Sequence, residues 1–331
     1  MSIFFTSNKR SSIDKEFYLK SKKRQIIIEK VIKKSKLKKF FYNKTSIYLI
    51  NDTKQLLGSY KIRGATSKFY DLKKSNCKSI CLASTGNFGL SISYLSKKYK
   101  IECKVFVSKN TAKNKIDKLI KFGADIDATG NTYDDAKEKA KKYSKKNKVK
   151  FIDVCSKEIF YGNASLTLEA LENIELKDRF FLEKKILAVY PLGSGSLATP
   201  GIKILKYINK KIDVAVVEPK NFCKLFYKFT KRDKPNFKKS IAEGASVRKI
   251  PKINYSYLLQ NINIVSHVSE SDIKKSIKYL FKNFNIKSEG AGALTAAFFL
   301  KYKKIISKYD SVILPICGSN IDQKIFSKII Y

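Results

Sequence analysis

The chain has 331 residues, 44% of them hydrophobic, enough for a large core and for two lobes, and it carries a formal net charge of +41 from 69 Lys+Arg against 28 Asp+Glu. Only Arg10, Arg24, Arg63, Arg179, Arg232 and Arg248 carry the planar fork that reads bases and phosphates; the lysines are spread along the whole chain. The charge therefore reads as surface composition, with non-specific adhesion to polyanions at low salt and no specific nucleic-acid partner. No run of roughly eighteen apolar residues exists to span a bilayer, and the N-terminal residues lack the apolar core of a signal peptide. Cys77, Cys81, Cys103, Cys155, Cys223 and Cys317 show no C-x-x-C spacing, and His267 is the single histidine, so neither a disulfide framework nor a structural zinc site is expected. Reduced thiols in a cytoplasmic protein fit this pattern.

Residues 1–45 are polar and lysine-heavy, with Ile26-Ile27-Ile28 and Val31-Ile32 giving a partial helical stripe. From Lys78 the pattern becomes regular. Ile80-Cys81-Leu82-Ala83 predicts a short strand, and Leu90, Ile92, Ser93 and Leu95 a helix. Val105-Phe106-Val107 predicts the next strand; Ile116, Leu119 and Ile120 make a helix face, ended by Gly123 as a C-cap glycine. Ile126 marks another strand, Tyr133 to Lys145 a helix, Phe151-Ile152 a strand, and Asn163 to Leu171 a helix. Ile186-Leu187-Ala188-Val189 is a fully apolar strand, and Thr199-Pro200 after it reads as an N-cap with Pro at N1. Val214-Ala215-Val216-Val217 and Ser311-Val312-Ile313-Leu314-Pro315 are further strands, separated by the less regular, charged stretch 220–262. The alternation of strand and helix predicts parallel α/β layering.

Two loops in this pattern suit anions. Gly193-Ser194-Gly195-Ser196-Leu197 lies between a strand and a helix, where backbone N–H groups and the helix dipole hold a dianionic phosphate. By itself it reads slightly better as an ordinary loop, and it is neither a P-loop nor a dinucleotide fingerprint. Ser84-Thr85-Gly86-Asn87-Phe88-Gly89 opens a helix with free N–H groups suited to a carboxylate, or is simply a capped tight turn. Read as two cradles on successive parallel strands, beside one lysine, Lys61, in an almost chargeless turn, they fit an amino acid held next to a phosphorylated cofactor.

Ser59-Tyr60-Lys61-Ile62-Arg63-Gly64-Ala65 is similar to the Ser-Phe-Lys-x-Arg-Gly-Ala motif of the threonine dehydratase and serine racemase group of fold-type-II pyridoxal-phosphate (PLP) enzymes. Ala83-Ser84-Thr85-Gly86-Asn87 resembles that family's substrate-carboxylate loop, and Gly193 to Leu197 its phosphate loop. Ile241-Ala242-Glu243-Gly244-Ala245, Ser288-Glu289-Gly290-Ala291-Gly292-Ala293 and Cys317-Gly318-Ser319-Asn320-Ile321-Asp322 resemble its later signatures, so the likeness covers about residues 46–325. The resemblance implies a tryptophan synthase beta-like α/β fold of two domains, with parallel or mostly parallel sheets flanked by helices. Residues 1–64 plus 166–331 would form the large PLP-binding domain and 65–165 the small substrate-side domain. It further implies that Lys61 is Schiff-base lysine and general base, that Asn87 meets the cofactor's phenolic oxygen, and that Gly193, Ser194, Gly195, Ser196 and Leu197 cradle the phosphate. Ser84, Thr85, Gly86 and Asn87 would bind the substrate. Cys317 falls where the family places Ser or Cys opposite the pyridine nitrogen. A neutral thiol there does not keep the ring nitrogen protonated, which favours elimination over transamination; the plainer alternatives are a buried small residue for Cys317 and a surface lysine for Lys61.

The implied activity is that of a PLP-dependent ammonia-lyase performing β-elimination on threonine, serine or a related β-hydroxy amino acid, in a homodimer. Several positions depart from the family. Phe88 stands for the usual His, two phosphate-loop glycines are Ser, the Thr-Pro-Leu entrance is not recognisable in residues 20–46, and Asn163-Ala164-Ser165 replaces Gln-Gly-Thr. Where metal-binding relatives carry an acid six residues after the Glu, Glu218-Pro219 is followed by Lys224, so no metal is expected. Thr85 keeps a racemase or β-replacement enzyme open, and Phe88 a non-catalytic PLP-binding relative.

Overall fold

The protein is described by a computed structural model over residues 2–6 and 15–331. In chain order these begin with strand β1 (Ile3–Phe5), helix α1 (Lys15–Ile28), strands β2 (Lys36–Tyr42) and β3 (Thr45–Asn51), and helix α2 (Lys61–Lys74). Then come β4 (Ser79–Ala83), α3 (Asn87–Tyr99), β5 (Glu102–Ser108), α4 (Lys113–Lys121), β6 (Asp125–Gly130), α5 (Tyr133–Lys146) and β7 (Lys150–Phe151). After α6 (Lys157–Glu175) follow β8 (Ile186–Pro191), α7 (Ala198–Ile208), β9 (Asp213–Pro219), α8 (Lys224–Thr230) and α9 (Lys252–Asn261). The chain closes with β10 (Ile264–Val268), α10 (Glu270–Phe284), α11 (Leu294–Lys301), α12 (Lys303–Ile306), β11 (Ser311–Ile316) and α13 (Gln323–Ile330).

Two sheets result. The four-stranded sheet, β6-β5-β4-β7, is parallel throughout. The seven-stranded sheet, β1-β10-β9-β8-β11-β3-β2, is parallel except where β1 joins β10 and β2 joins β3 at its two edges. The mostly parallel α/β layering expected from the alternating pattern is therefore present. Side-chain alternation divides each sheet's apolar residues between two faces. Tyr48, Ile50, Ala188, Tyr190, Val214 and Val216 pack on one side of the large sheet with residues of α6 and α7. Their neighbours Ile47, Leu49, Leu187, Val189, Ala215 and Val217 pack on the other with α10 and α11. The small sheet repeats this, with Ile80, Leu82 and Val105 facing α3 and Cys81, Ala83 and Phe106 facing α5.

Local signals explain several boundaries. Capping boxes start α5 (Thr132 with Asp135) and α10 (Ser269 with Asp272). Gly123 follows α4 with φ +76°, as its C-cap reading requires. One expectation is corrected: α7 begins at Ala198 after Leu197, so Thr199-Pro200 lies inside the first turn and not at the cap. The pattern also missed β1, β2 and β10. In β2 the sequence KLKKFFY places exposed lysines along a sheet edge, which blunts edge pairing but hides the strand period. Among the described residues no helix is long and apolar enough to cross a membrane.

Candidate active site

The two loops expected on successive strands lie instead on different sheets: Ser84–Asn87 follows β4 in the small sheet, and Gly193–Leu197 follows β8 in the large one. That corrects the strand order and brings the loops to one cleft from opposite sides. Lys61 opens α2 between them. Its Nζ donates to Ser196 Oγ at 2.5 Å and lies 4.7 Å from the centre of the Tyr60 ring, whose hydroxyl is itself 3.1 Å from Ser196 Oγ. Burial pulls the Lys61 ammonium down to about 8, against the opposing pull of Cys155, Cys317 and Glu289. A lysine in this state is part neutral near neutral pH, as a nucleophile or base must be.

The first turn of α2 has no side-chain cap, and its position is fixed two residues on. Arg63 is fully buried. Its Nε and one terminal nitrogen bond both oxygens of Asp52 at 2.8 and 2.7 Å, and the same nitrogen meets Glu169 at 2.8 Å and Ser35 Oγ at 2.8 Å. The other terminal nitrogen donates to Ser165 Oγ at 3.1 Å. One guanidinium thus joins the end of β3, the approach to β2, helix α6 and the start of α2. Burial raises the Glu169 carboxyl, with Arg63 opposing. The sequence had Arg63 as a motif letter only; its partners sit 11 to 106 residues away and left no local signal.

The glycine loop is held from behind. Asn163 Nδ2 donates to the Ser196 carbonyl at 2.8 Å and its Oδ1 accepts the Gly64 N–H at 3.0 Å, which couples the loop to α2. Asn254 Nδ2 donates to the Ser194 carbonyl at 2.7 Å. Gly195 has φ +86°, a left-handed conformation that a side chain would strain. At Gly193 a Cβ would come within 3.0 Å of the Gly244 carbonyl oxygen. Among the described residues the N–H groups of Gly193 through Leu197 have no protein acceptor. The hydroxyl of Thr199 is likewise buried without a partner. Asn163 and Asn254 were not read as site residues, although a polar side chain on a buried helix face was the available clue.

On the opposite side Asn87 starts α3. Its Nδ2 donates to Glu289 Oε1 at 2.8 Å, and its Oδ1 accepts from Asn320 at 2.7 Å. Burial pushes the Glu289 carboxyl up to about 7, with Asn87 opposing. A Cβ on Gly318 would lie 2.4 Å from Glu289 Oε1, so the carboxyl needs that glycine. Ser84 Oγ accepts the Gly89 N–H at 3.0 Å, while the Thr85 hydroxyl has no partner among the described residues and Gly86 faces open space. Cys317 follows β11, is 4% exposed, and accepts the Tyr60 N–H on its carbonyl at 3.1 Å. Burial raises its thiol, which is neutral at ordinary pH. Lys61 thus touches Ser196 and lies close enough to Cys317 and to Asn87's partner Glu289 to feel their charge.

Glu218 is fully buried; it accepts the N–H groups of Leu225 (3.0 Å) and Phe226 (2.9 Å), and the Lys224 ammonium stands 3.3 Å away. Among the described residues no three His, Cys, Asp or Glu side chains are grouped to hold a metal. His267 bonds Asp233 at 3.0 Å and takes no part in the cleft.

A buried-amine lysine, an anion cradle at a helix start and a neutral thiol, set where two α/β sheets meet, define a cofactor-dependent enzyme of the fold-type-II class. The family described as pyridoxal-phosphate dependent enzyme matches residues 31–318, and the chain belongs to it. L-threonine ammonia-lyase of Thermotoga maritima is 25% identical over 288 residues, 86% of this chain and 69% of that protein. Serine racemase of Dictyostelium discoideum is 25% identical over 294 residues, 86% of this chain and 87% of that protein. The solved structure of processed threonine deaminase isoform 2 from Solanum lycopersicum shares the fold, with a TM-score of 0.82, 21% identity and coverage of 99% and 92%. The residues present fit the family's cofactor: unpaired N–H groups for a phosphate, a part-neutral lysine for an aldehyde, and open space at Gly86 for what is joined to it.

Proposed function

We propose that this enzyme is an ammonia-lyase of the threonine/serine dehydratase branch. In this reading it converts threonine, serine or a related β-hydroxy amino acid to a 2-oxo acid and ammonia. The observation that carries the proposal is Lys61: its amine, held near a pKa of about 8, touches Ser196 at the edge of the unpaired N–H cradle. Residues 65–165 form the substrate-side domain in this reading, and residues 1–64 with 166–331 the cofactor-side domain.

When bound, PLP supplies a sink for the electron pair left by loss of the α-proton. The chain's own residues do the rest. The N–H groups of Gly193 to Leu197 would hold the phosphate, while Asn163 and Asn254 bind the Ser196 and Ser194 carbonyls. The N–H groups of Ser84 to Asn87 would hold the substrate carboxylate, and Asn87 would have a second amide proton to offer the cofactor's phenolic oxygen. Lys61 takes the proton from Cα. Cys317, neutral because it is buried, would leave the ring nitrogen without a proton donor of carboxylic strength, which would favour loss of the β-hydroxyl over amino-group transfer. The net change is the amino acid to its 2-oxo acid plus ammonia, the hydroxyl leaving as water and a water molecule supplying the oxo oxygen.

A second reading, racemisation, is favoured by the unpartnered hydroxyl of Thr85 and by the likeness to a serine racemase. Incubation of the PLP-loaded protein with L-threonine, L-serine and threo-3-hydroxyaspartate, followed by assay of 2-oxo acids and of D-enantiomers, tests both. A 2-oxo acid formed in step with ammonia supports the lyase. D-amino acid as main product replaces it with the racemase, and neither product defeats both.

A further inference from the structure

We propose that the cleft between α10 and α13 is a binding site for a small oligophosphate, independent of the active site. A cavity of about 330 Å³ lies there, within the size range of small-molecule sites. On α10 it is lined by Ser271, Lys274, Lys275 and Lys278, and on α13 by Ile325, Lys328 and Ile329. The spacing is that of two helix stripes. α10 buries Ile273, Ser276, Ile277 and Leu280 in the core, which turns the lysine stripe outward, while Phe281 on Phe326, edge to face at 5.3 Å, sets the two helices side by side.

Four lysines thus line one concavity, and no Asp or Glu is among its lining residues. Three acids on or beside the two helices are committed elsewhere. Glu270 accepts the Ile241 N–H, Asp272 caps α10 and pairs with Lys301, and Asp322 caps α13. Among the described residues none of the four lysines makes an ion pair or hydrogen bond. Lys274 and Lys278, one turn apart, repel each other, a cost that a bound anion removes. The chemistry selects the class of anion. Lysine is a point charge without arginine's planar fork, so several of them suit the rotatable, multiply charged oxygens of a phosphate chain better than a flat carboxylate. A volume of this size admits a few phosphate groups and excludes a folded macromolecule.

Titration calorimetry of the PLP-loaded protein with inorganic triphosphate, in roughly physiological salt so that diffuse attraction is screened, tests the proposal; loading with PLP fills the other phosphate cradle. One saturable site is expected. Lys274→Ala/Lys278→Ala should weaken it about tenfold or more, with no loss of melting temperature in the unliganded protein, because alanine favours the helix and the repulsion is gone. Lys145→Ala/Lys146→Ala on α5 should leave binding unchanged. Uridine triphosphate binding as tightly as triphosphate assigns recognition to the phosphate chain alone, and tighter binding assigns the ligand to nucleotides; both support the site. Unsaturable binding, equal loss in the α5 variant, or single-stranded oligonucleotides that outcompete triphosphate in proportion to their length would overturn it in favour of diffuse or nucleic-acid attraction.

Discussion

Lys61 and Ser196, 135 residues apart in the chain, meet at 2.5 Å between the amine and the hydroxyl, and this contact joins the start of α2 to the loop that opens α7. The amine is buried enough to be held near a pKa of about 8. For a lysine this is a depressed value. The unfolded chain binds the proton more tightly, so folding is favoured progressively as pH rises from about 8 towards the ordinary lysine range. Uptake of PLP by the cofactor-free protein, followed by absorbance, should accelerate with pH and level off above about 8.

Lys61→Ala should lower turnover by roughly 10²–10⁴-fold or more while leaving circular dichroism unchanged and melting no lower, since it removes a buried amine whose charge opposes folding at neutral pH. Borohydride treatment of the loaded protein followed by peptide mapping should place the pyridoxyl label on Lys61. A label on another lysine would falsify the assignment.

Arg63→Met should cost about 3–5 kcal/mol in denaturant unfolding, because Asp52 and Glu169 are left buried without their cation. Arg63→Lys keeps the charge but not the fork to Asp52, and should recover only part of that loss. Equal stability for Met and wild type would mean that the network holds nothing.

Cys317→Ser should retain activity, and Cys317→Asp should shift the balance from 2-oxo acid formation towards abortive amino-group transfer. The measurement is the ratio of 2-oxo acid to pyridoxamine phosphate after single-turnover incubation. An Asp variant that eliminates as fast as the parent removes the case for a neutral partner.

The Lys224 ammonium pairs with the buried Glu218 carboxylate at 3.3 Å, and among the described residues no second carboxylate joins them. Activity and melting temperature should therefore be indifferent to EDTA, and Lys224→Asp should introduce stabilisation by Mg²⁺ or Ca²⁺. Burial already holds the Glu218 carboxyl above its usual value. Lys224→Met removes an opposing influence and raises it further. Below the unfolded carboxylate value the variant should match the parent; as pH climbs through and beyond it, folding takes up a proton that becomes scarcer, and the deficit should grow to about 2 kcal/mol near neutrality. Unfolding curves at acid and neutral pH check the sign.

Asn254→Ala should release the Ser194 carbonyl and raise the dissociation constant for PLP by roughly tenfold, the worth of about one hydrogen bond. Equilibrium dialysis reads it directly, without turnover.

By itself the sequence determined the class and the chemistry-bearing loops. Short apolar strands such as Ile186–Pro191 are buried on both faces, and glycine-rich turns have few conformational alternatives, so both leave local marks. Lys61, Asn87, Gly193 to Leu197 and Cys317 were read from such marks, and the family match over residues 31–318 agrees with the class. Only the tertiary structure decided what lies around them. The lysine-rich edge strand β2 forms because β3 offers it a partner, not because its own pattern asks for it. Arg63 with Asp52 and Glu169, Asn163 with Ser196, and Asn87 with Glu289 and Asn320 are pairs separated by 11 to 233 residues. Their energies depend on removal from water, which no spacing in the chain records and which arises only when two sheets close on one cleft.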